Sequence, residues 1–143
     1  MAIFGVDVGE KRVGVAKVDP ETKVVVPVGV FLVNDISDTT SVVDLLKTPD
    51  EDTLVVVGMP MNQRGELTEQ SRRVQEFVQK LRGMLPETVK IVFFGESGTT
   101  KLAIERLRER GFDDVKIREA RASGAVDVEA ACIILEGWVE ENL

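Results

Sequence analysis

The whole chain of 143 residues predicts a single α/β domain in which helices flank a mixed five-stranded sheet. The apolar, β-rich segments 2–8, 12–18 and 24–33 follow one another with only short turns between them, which is typical of antiparallel strands. Two later apolar segments, 53–58 and 90–94, are separated by a segment with helical periodicity, which is typical of parallel strands joined by a helix. Antiparallel strands followed by parallel strands predict a mixed sheet with helices on its faces.

The first two strands are predicted to form a hairpin, because Gly9 lies in a short turn between two β-rich segments. The third strand contains Pro27, which lacks a backbone N–H and therefore favours an edge position or a bulge. The segments TLVVVG at 53–58 and KIVFF at 90–94 are continuous apolar runs of strand length. Such runs are typical of strands buried on both faces of a parallel sheet.

The helices are predicted from apolar residues that recur every three or four positions and from residues that end a helix. A short helix over 41–47 is ended by Thr48 and Pro49, and a longer helix covers 67–82. A third helix covers 100–110.

The C-terminal part of the chain is predicted to contain one more helix after an irregular region. We expect a short strand at 115–117 and a polar loop at 118–125. The last helix is expected to begin at Asp127. Its apolar side chains share one face: Val128, Ala131, Cys132, Leu135, Trp138 and Val139.

Composition excludes several kinds of catalytic site. Apolar residues make up 43% of the chain and charged residues 30%, which is typical of a soluble globular domain. The sequence contains no histidine, which excludes Ser-His-Asp and Cys-His catalysis and histidine-ligated metals. Cys132 is the only cysteine, so no intrachain disulfide can form, and a reducing cytoplasm fits. No apolar run reaches the roughly 20 residues of a membrane span, so no membrane association is expected.

The net charge of −7 argues at first against a nucleic-acid partner, but the charges are unevenly distributed. Residues 35–63 carry six acids and one lysine, and residues 122–143 carry five acids and no base. Residues 64–82 and 101–121 each carry two more bases than acids. Ordinary solvated helix faces produce the same pattern, so charge alone does not identify the partner.

Three carboxylates lie at the ends of predicted elements: Asp7 near the end of the first strand, Glu96 just after KIVFF, and Asp127 at the start of the last helix. If the first strand is central and parallel to KIVFF, Asp7 and Glu96 share the carboxyl edge of the sheet, where ligands bind in α/β folds. Grouped carboxylates repel one another, and a bound cation offsets this repulsion. Oxygen ligands favour Mg²⁺ or Mn²⁺. Plain alternatives are a first-turn acid for Asp127 and a loop acid for Glu96.

Four motifs resemble, in order, those of the YqgF family, also called RuvX or Holliday junction resolvases. The first is Asp7-Val-Gly-x-x-Arg12-x-Gly14, and the second is the Val-Gly-Met-Pro segment within 55–77. The third is FFGESGTT at 93–100, and the fourth is the closing helix at 126–139. Together the motifs span nearly the whole chain, which makes the ordered set far more specific than any one of them.

The resemblance implies an RNase H-like fold and a cytoplasmic nuclease that acts either on the 5′ end of pre-16S rRNA or on four-way DNA junctions. It implies that Asp7, Glu96 and Asp127 are the catalytic, metal-binding acids, with one or two Mg²⁺ or Mn²⁺ ions as cofactor. The ions would activate a water and stabilise the leaving 3′ oxygen. Nucleic acid is the implied partner, and the protein is expected to be a monomer or a weak homodimer.

The chain departs from the family at one motif, because the family's Asp-Glu-Arg is Gly95-Glu96-Ser97 here. The missing arginine could have contacted a phosphate, and a base on the following helix could replace it. Few aromatic residues are available for base stacking, so recognition of shape and backbone is expected. The candidate phosphate-binding residues are Arg12, Arg72, Lys101 and Arg106.

Two other interpretations stay open at this point. The Asp-x-Gly turn also resembles the first phosphate motif of actin-like ATPases and sugar kinases, but these need two such domains around the nucleotide. A catalytically inactive nucleic-acid-binding relic of the nuclease fold is the other interpretation, and the Gly95 and Ser97 substitutions favour it. The intact set of three acids argues against a relic.

Overall fold

The computed structural model of the protein describes residues 1–48 and 51–143. Its strands are β1 (Ala2–Val8), β2 (Arg12–Val18), β3 (Val25–Leu32), β4 (Thr53–Pro60) and β5 (Val89–Glu96). Its helices are α1 (Ile36–Leu46), α2 (Glu69–Arg82), α3 (Thr99–Glu109), α4 (Asp114–Ser123) and α5 (Ala125–Asn142). The strands form one sheet in the order β3-β2-β1-β4-β5, with β1 in the centre.

The predicted mixed sheet is confirmed. β1 and β2 form an antiparallel hairpin, and β2 pairs antiparallel with β3. β1 pairs parallel with β4, and β4 pairs parallel with β5. Pro27 lies on the edge strand β3 at a shift in register, as the missing N–H predicts.

Successive side chains of β1 point to opposite faces of the sheet and so pack into two different cores. Phe4, Val6 and Val8 face the core that α1 and α2 cover. Ile3 faces the opposite core, which is built mainly from α5. Because side chains alternate along a strand, Asp7 lies on the same face as Ile3, beneath α5. The same alternation places Glu96 on the face of Phe94, which also packs against the α5 core.

Helix α5 lies unusually close to the sheet because small residues stand beneath it. A Cβ on Gly5 would lie 2.7 Å from Leu135 Cβ. A Cβ on Gly14 would overlap the backbone carbonyl group of Asp127. Gly14 is the β2 partner of Asp7, so this close approach brings the start of α5 next to the end of β1.

Three predictions about secondary structure are wrong. Residues 115–117 and 118–125 are not a strand and a loop, because most of this region forms α4. The Asp113 side chain accepts a hydrogen bond from the Lys116 N–H at 2.9 Å and caps α4. Ile117 and Ala120, three residues apart, anchor the helix in a small core beside α3 and α5. Tertiary packing at this spacing outweighs the β propensity of the Val-Lys-Ile segment.

The third wrong prediction concerns β5, which is not buried on both faces. It forms an edge of the sheet, where Val92 is 37% exposed and Phe93 is 43% exposed. Two helix starts also differ from those expected: α1 begins at Ile36, capped by Asp35, and α5 begins two residues before Asp127. Pro49, expected to end the first helix, lies outside the described residues.

We expect Gly14→Ala to lower the free energy of unfolding by at least about 2 kcal/mol, because the new methyl group forces α5 away from β2. Gly29→Ala on β3 is the matched control, because its Cβ would meet nothing nearer than 3.8 Å. The control should change the free energy by no more than about 0.5 kcal/mol. Urea unfolding monitored by circular dichroism measures both, and equal effects would contradict the close packing at Gly14.

Candidate active site

The fold brings together the three acids that the sequence nominates. Asp7 lies near the end of the central strand, and Glu96 ends β5, two strands away in the same parallel direction. Asp127 lies in the first turn of α5, above the Asp7–Gly14 pair. A Cβ on Gly9 would lie 3.3 Å from Asp127 Oδ1, which places this carboxylate against the β1–β2 turn.

The charges of the other two carboxylates both act on Asp7. Burial and the negative charges of Asp127 and Glu96 raise the pKa of Asp7 to about 7. Burial also raises the pKa of Asp127, although the positive charge of Arg12 opposes this rise. The ionised form of Asp7 is therefore disfavoured, and a cation placed near its carboxylate would favour the charged form.

Glu96 is held by the start of α3. The Thr99 hydroxyl donates a hydrogen bond to Glu96 Oε2, and Thr99 itself is buried. A side chain whose oxygen is fixed by a buried hydroxyl loses rotamer freedom before any ligand binds. The carboxylate is therefore oriented in advance toward the carboxyl edge of the sheet.

An open cleft lies over the acids. One cavity of about 610 Å³ is lined by Asp7 and Glu96 together with the bases Lys101, Arg108 and Arg121. A neighbouring cavity of about 360 Å³ is lined by other residues of the site, among them Asp127, Arg12 and Lys11. Thr100 and Arg121 line both cavities, so the two adjoin, and together they form the groove of the candidate site. Besides the three acids, the groove is lined by five bases, Lys11, Arg12, Lys101, Arg108 and Arg121, and by the further acids Glu10 and Glu105.

Residues 1–141 match the model of a family described as "RuvX: Holliday junction resolvase". The chain belongs to the RuvX family. Membership of this family indicates a nuclease, with nucleic acid as its substrate and partner. The predicted resemblance is confirmed.

Curated relatives support the same assignment. A "Putative pre-16S rRNA nuclease" of Chlorobaculum tepidum is 34% identical over 140 residues, which cover 98% of this chain and 94% of that protein. A protein of the same name from Salinibacter ruber is 33% identical over 140 residues, which cover 98% of this chain and 93% of that protein.

A solved structure shares the fold. The fowlpox virus resolvase, determined in complex with Holliday junction DNA, superposes with a TM-score of 0.53 at 17% sequence identity. The alignment covers 100% of this chain and 99% of the viral one. At this identity the likeness establishes the fold alone, and it confirms the predicted RNase H-like architecture.

In the part of the chain that the structure describes, no helix combines the length and apolar character of a membrane span.

The donor atoms of this candidate site have the chemistry that a hard divalent cation prefers. All three side chains offer carboxylate oxygens, which Mg²⁺ and Mn²⁺ prefer, and Asp7 carries the electrostatic penalty that a cation relieves. Within residues 1–48 and 51–143, no group of three or more acidic or thiol side chains is already arranged to hold a metal ion. Mg²⁺ does not require such a group, because it commonly binds through one or two carboxylates and keeps several waters.

The four nominated bases separate into two groups. Arg12 and Lys101 line the groove. Arg106 instead contacts Glu136 at 2.6 Å and Glu129 at 3.8 Å, in an ion-pair cluster between α3 and α5. Arg72 lines a separate cavity at the start of α2 and neither cavity of the groove. The structure therefore does not bring Arg72 and Arg106 to the acids.

Sequence reasoning missed one hydroxyl and three bases of the groove: Thr99, Lys11, Arg108 and Arg121. Arg121 is not among the predicted site residues because its segment is predicted to be a loop. Asp113 as a helix cap and the spacing of Ile117 and Ala120 are the signals that indicate a helix there. Thr99 could have been found from its position three residues after Glu96, at the start of a helix.

The raised pKa of Asp7 makes stability depend on pH. Between the ordinary value of 3.8 and about 7, the folded protein holds a proton that the unfolded chain releases. This stabilising contribution is complete below about pH 4 and is lost as the pH rises through about 7. We therefore expect metal-free Asp7→Asn to be more stable than wild type by about 2 kcal/mol at pH 8, a value discounted for partial exposure, and by clearly less at pH 4.5.

Urea unfolding in the presence of EDTA at the two pH values measures this difference. Asp44→Asn on the exposed face of α1 is the matched control and should follow wild type at both. A stability difference between Asp7→Asn and wild type that does not change with pH would contradict the raised pKa.

Proposed function

We propose that this member of the RuvX family is a metal-dependent endonuclease that cuts phosphodiester bonds at the 5′ end of pre-16S rRNA. The observation that carries the proposal is that three carboxylates from distant parts of the chain line one groove, where the charges of two of them act on the third, beside five basic side chains. The pre-16S substrate is taken from the name of the curated relatives. No part of the site requires histidine, which the chain lacks.

Asp7, Glu96 and Asp127 would hold the ion or ions. A bound Mg²⁺ or Mn²⁺ lowers the pKa of a water and stabilises charge on the phosphate and its leaving oxygen. Within the protein, Thr99 fixes the orientation of Glu96, and Arg12 partly offsets the charge of Asp127. These contacts let the carboxylates keep a defined arrangement in spite of their mutual repulsion.

Asp7 makes ion binding sensitive to pH. A proton and a divalent cation compete for its carboxylate, so metal affinity is expected to rise as the pH rises through about 7. With a divalent cation held by these acids, the site would present less negative charge to the anionic phosphodiester. The acids therefore repel the substrate less when the metal is present.

Substrate recognition is expected to rely on phosphates and shape. The chain has one tryptophan and no tyrosine, which leaves few side chains for stacking on bases. Arg12 and Lys101 lie along the groove, where they can contact phosphates. Phosphate contacts fix the register of a nucleic acid without reading its sequence.

A four-way DNA junction is the second candidate substrate. The description of the family and the shared fold of the viral resolvase favour it. Both substrates demand the same phosphodiester chemistry, so the choice between them depends on which nucleic acid the groove accepts.

We expect purified wild-type protein to cleave an RNA fragment spanning the 5′ end of 16S rRNA when Mn²⁺ or Mg²⁺ is present, and not in EDTA. Asp7→Asn, Glu96→Gln and Asp127→Asn should each lower the rate by at least about 100-fold, because each removes a charge that holds the metal. Asp44→Asn, remote from the groove, should cleave as wild type does. Gel electrophoresis of end-labelled substrate, with a synthetic four-way junction in parallel, measures the rates.

Each alternative has its own result in this experiment. Cleavage that persists in Asp7→Asn overturns the assigned site, and cleavage in EDTA overturns metal dependence. Cleavage of the four-way junction but not of the RNA would show that the substrate is branched DNA. Binding of nucleic acid with no cleavage of either substrate identifies a relic of the nuclease fold.

A further inference from the structure

Arg121 is placed between the two cavities of the groove. It lies in the last turn of α4, where its side chain is exposed. It lines the cavity that contains Asp7 and Glu96, and it also lines the cavity that contains Asp127. A nucleic-acid backbone that passed from one cavity to the other would therefore pass Arg121.

The guanidinium group of Arg121 is available for a ligand. Arg106 and Arg110 pair with glutamates of α5, and Arg108 contacts Asp114 at 2.8 Å. Arg121, in contrast, has no ion pair or side-chain hydrogen bond within residues 1–48 and 51–143. A free guanidinium loses no internal partner when it binds a phosphate, to which it can donate two parallel hydrogen bonds.

The position of Arg121 relative to Asp127 is fixed by the backbone. Buried Ala120 anchors the last turn of α4 in the small core. Gly124 then joins α4 to α5 with φ of +88°, a left-handed conformation that glycine adopts without strain. A Cβ at Gly124 would lie 3.0 Å from Cδ of Arg12, so the connection is packed against a second basic residue. The backbone of Arg121 thus lies three residues before a glycine that packs against the side chain of Arg12.

We propose that Arg121 binds the substrate phosphate at the junction of the two cavities and supplies positive charge that the Gly95-Glu96-Ser97 motif does not. The inference rests on the proposed nuclease function and names a further substrate-binding residue of the same groove. Arg106, the alternative on α3, is already engaged by Glu136. Lys101 and Arg12 would then bind phosphates on the two sides of Arg121.

The test compares Arg121→Gln and Arg121→Lys with Arg118→Gln, a matched control on the same helix whose exposed side chain lines neither cavity. Binding of fluorescein-labelled RNA from the 5′ region of 16S rRNA is measured by anisotropy in EDTA over a range of salt concentrations. Cleavage of the same RNA is measured with Mn²⁺. Thermal unfolding verifies that each variant is folded, which is expected because both arginines are exposed.

We expect Arg121→Gln to bind RNA about 10-fold more weakly than wild type and to raise KM for cleavage. The slope of log Kd against log salt should fall by about 0.7, the value for one lost phosphate contact on a single strand. Arg121→Lys keeps the charge but loses the fork of donors, so its affinity should lie between those of wild type and Arg121→Gln. Arg118→Gln should match wild type.

The inference is overturned if Arg121→Gln binds RNA within two-fold of wild type, or if Arg118→Gln weakens binding as much. In either case wild-type cleavage still supports the proposed nuclease. If wild-type protein neither binds nor cleaves the RNA or the four-way junction, the proposed function fails, and the role of Arg121 fails with it.

Discussion

The close approach of α5 to the sheet is the constraint on which the site depends. Gly14 leaves space for the backbone of Asp127, and the antiparallel register of β1 and β2 sets Gly14 opposite Asp7. A side chain at Gly14 would separate two acids that are 120 residues apart in sequence. The same face of the sheet carries Glu96, because strand alternation repeats in the parallel neighbours β4 and β5. The close packing of α5 on the sheet therefore also determines where the three acids lie.

The grouping of acids that the proposed function needs also lowers the stability of the metal-free protein. Asp7 is partly buried beside two other carboxylates, which raises its pKa to about 7 and makes its ionised form costly for the metal-free fold. The site tolerates this because the surrounding core is extensive on both faces of the sheet. In the proposed function, a bound cation would relieve this repulsion, and the bases around the groove would attract phosphate. Arg121 is proposed to be one of these bases, since its unpaired guanidinium group lines both cavities.

Much of the fold could be predicted from the sequence. Short turns between β-rich segments indicate antiparallel strands, and continuous apolar runs joined by a helix indicate parallel ones. Asp7, Glu96 and Asp127 could be nominated from their places at element ends. The position of Arg121 is harder to predict, because the β propensity of Val115–Ile117 competes with the Asp113 cap, and contacts with α3 and α5 decide for the helix. The burial of β5 was overestimated for a related reason: its composition does not reveal that it has a neighbour on one side only. The engagement of Arg106 by Glu136 likewise depends on helix packing that no local pattern encodes.

The central claim is that the three carboxylates form one cation site. Titration of Mn²⁺ into the protein by calorimetry at pH 8 tests it most directly, with wild type, Asp7→Asn, Glu96→Gln and Asp127→Asn compared under identical conditions. The account predicts that wild type binds Mn²⁺ and that each substitution weakens binding at least about 10-fold, since each removes a charged ligand from the same site. Asp44→Asn should bind as wild type does. Undiminished Mn²⁺ affinity in any one of the three site variants would contradict a shared site.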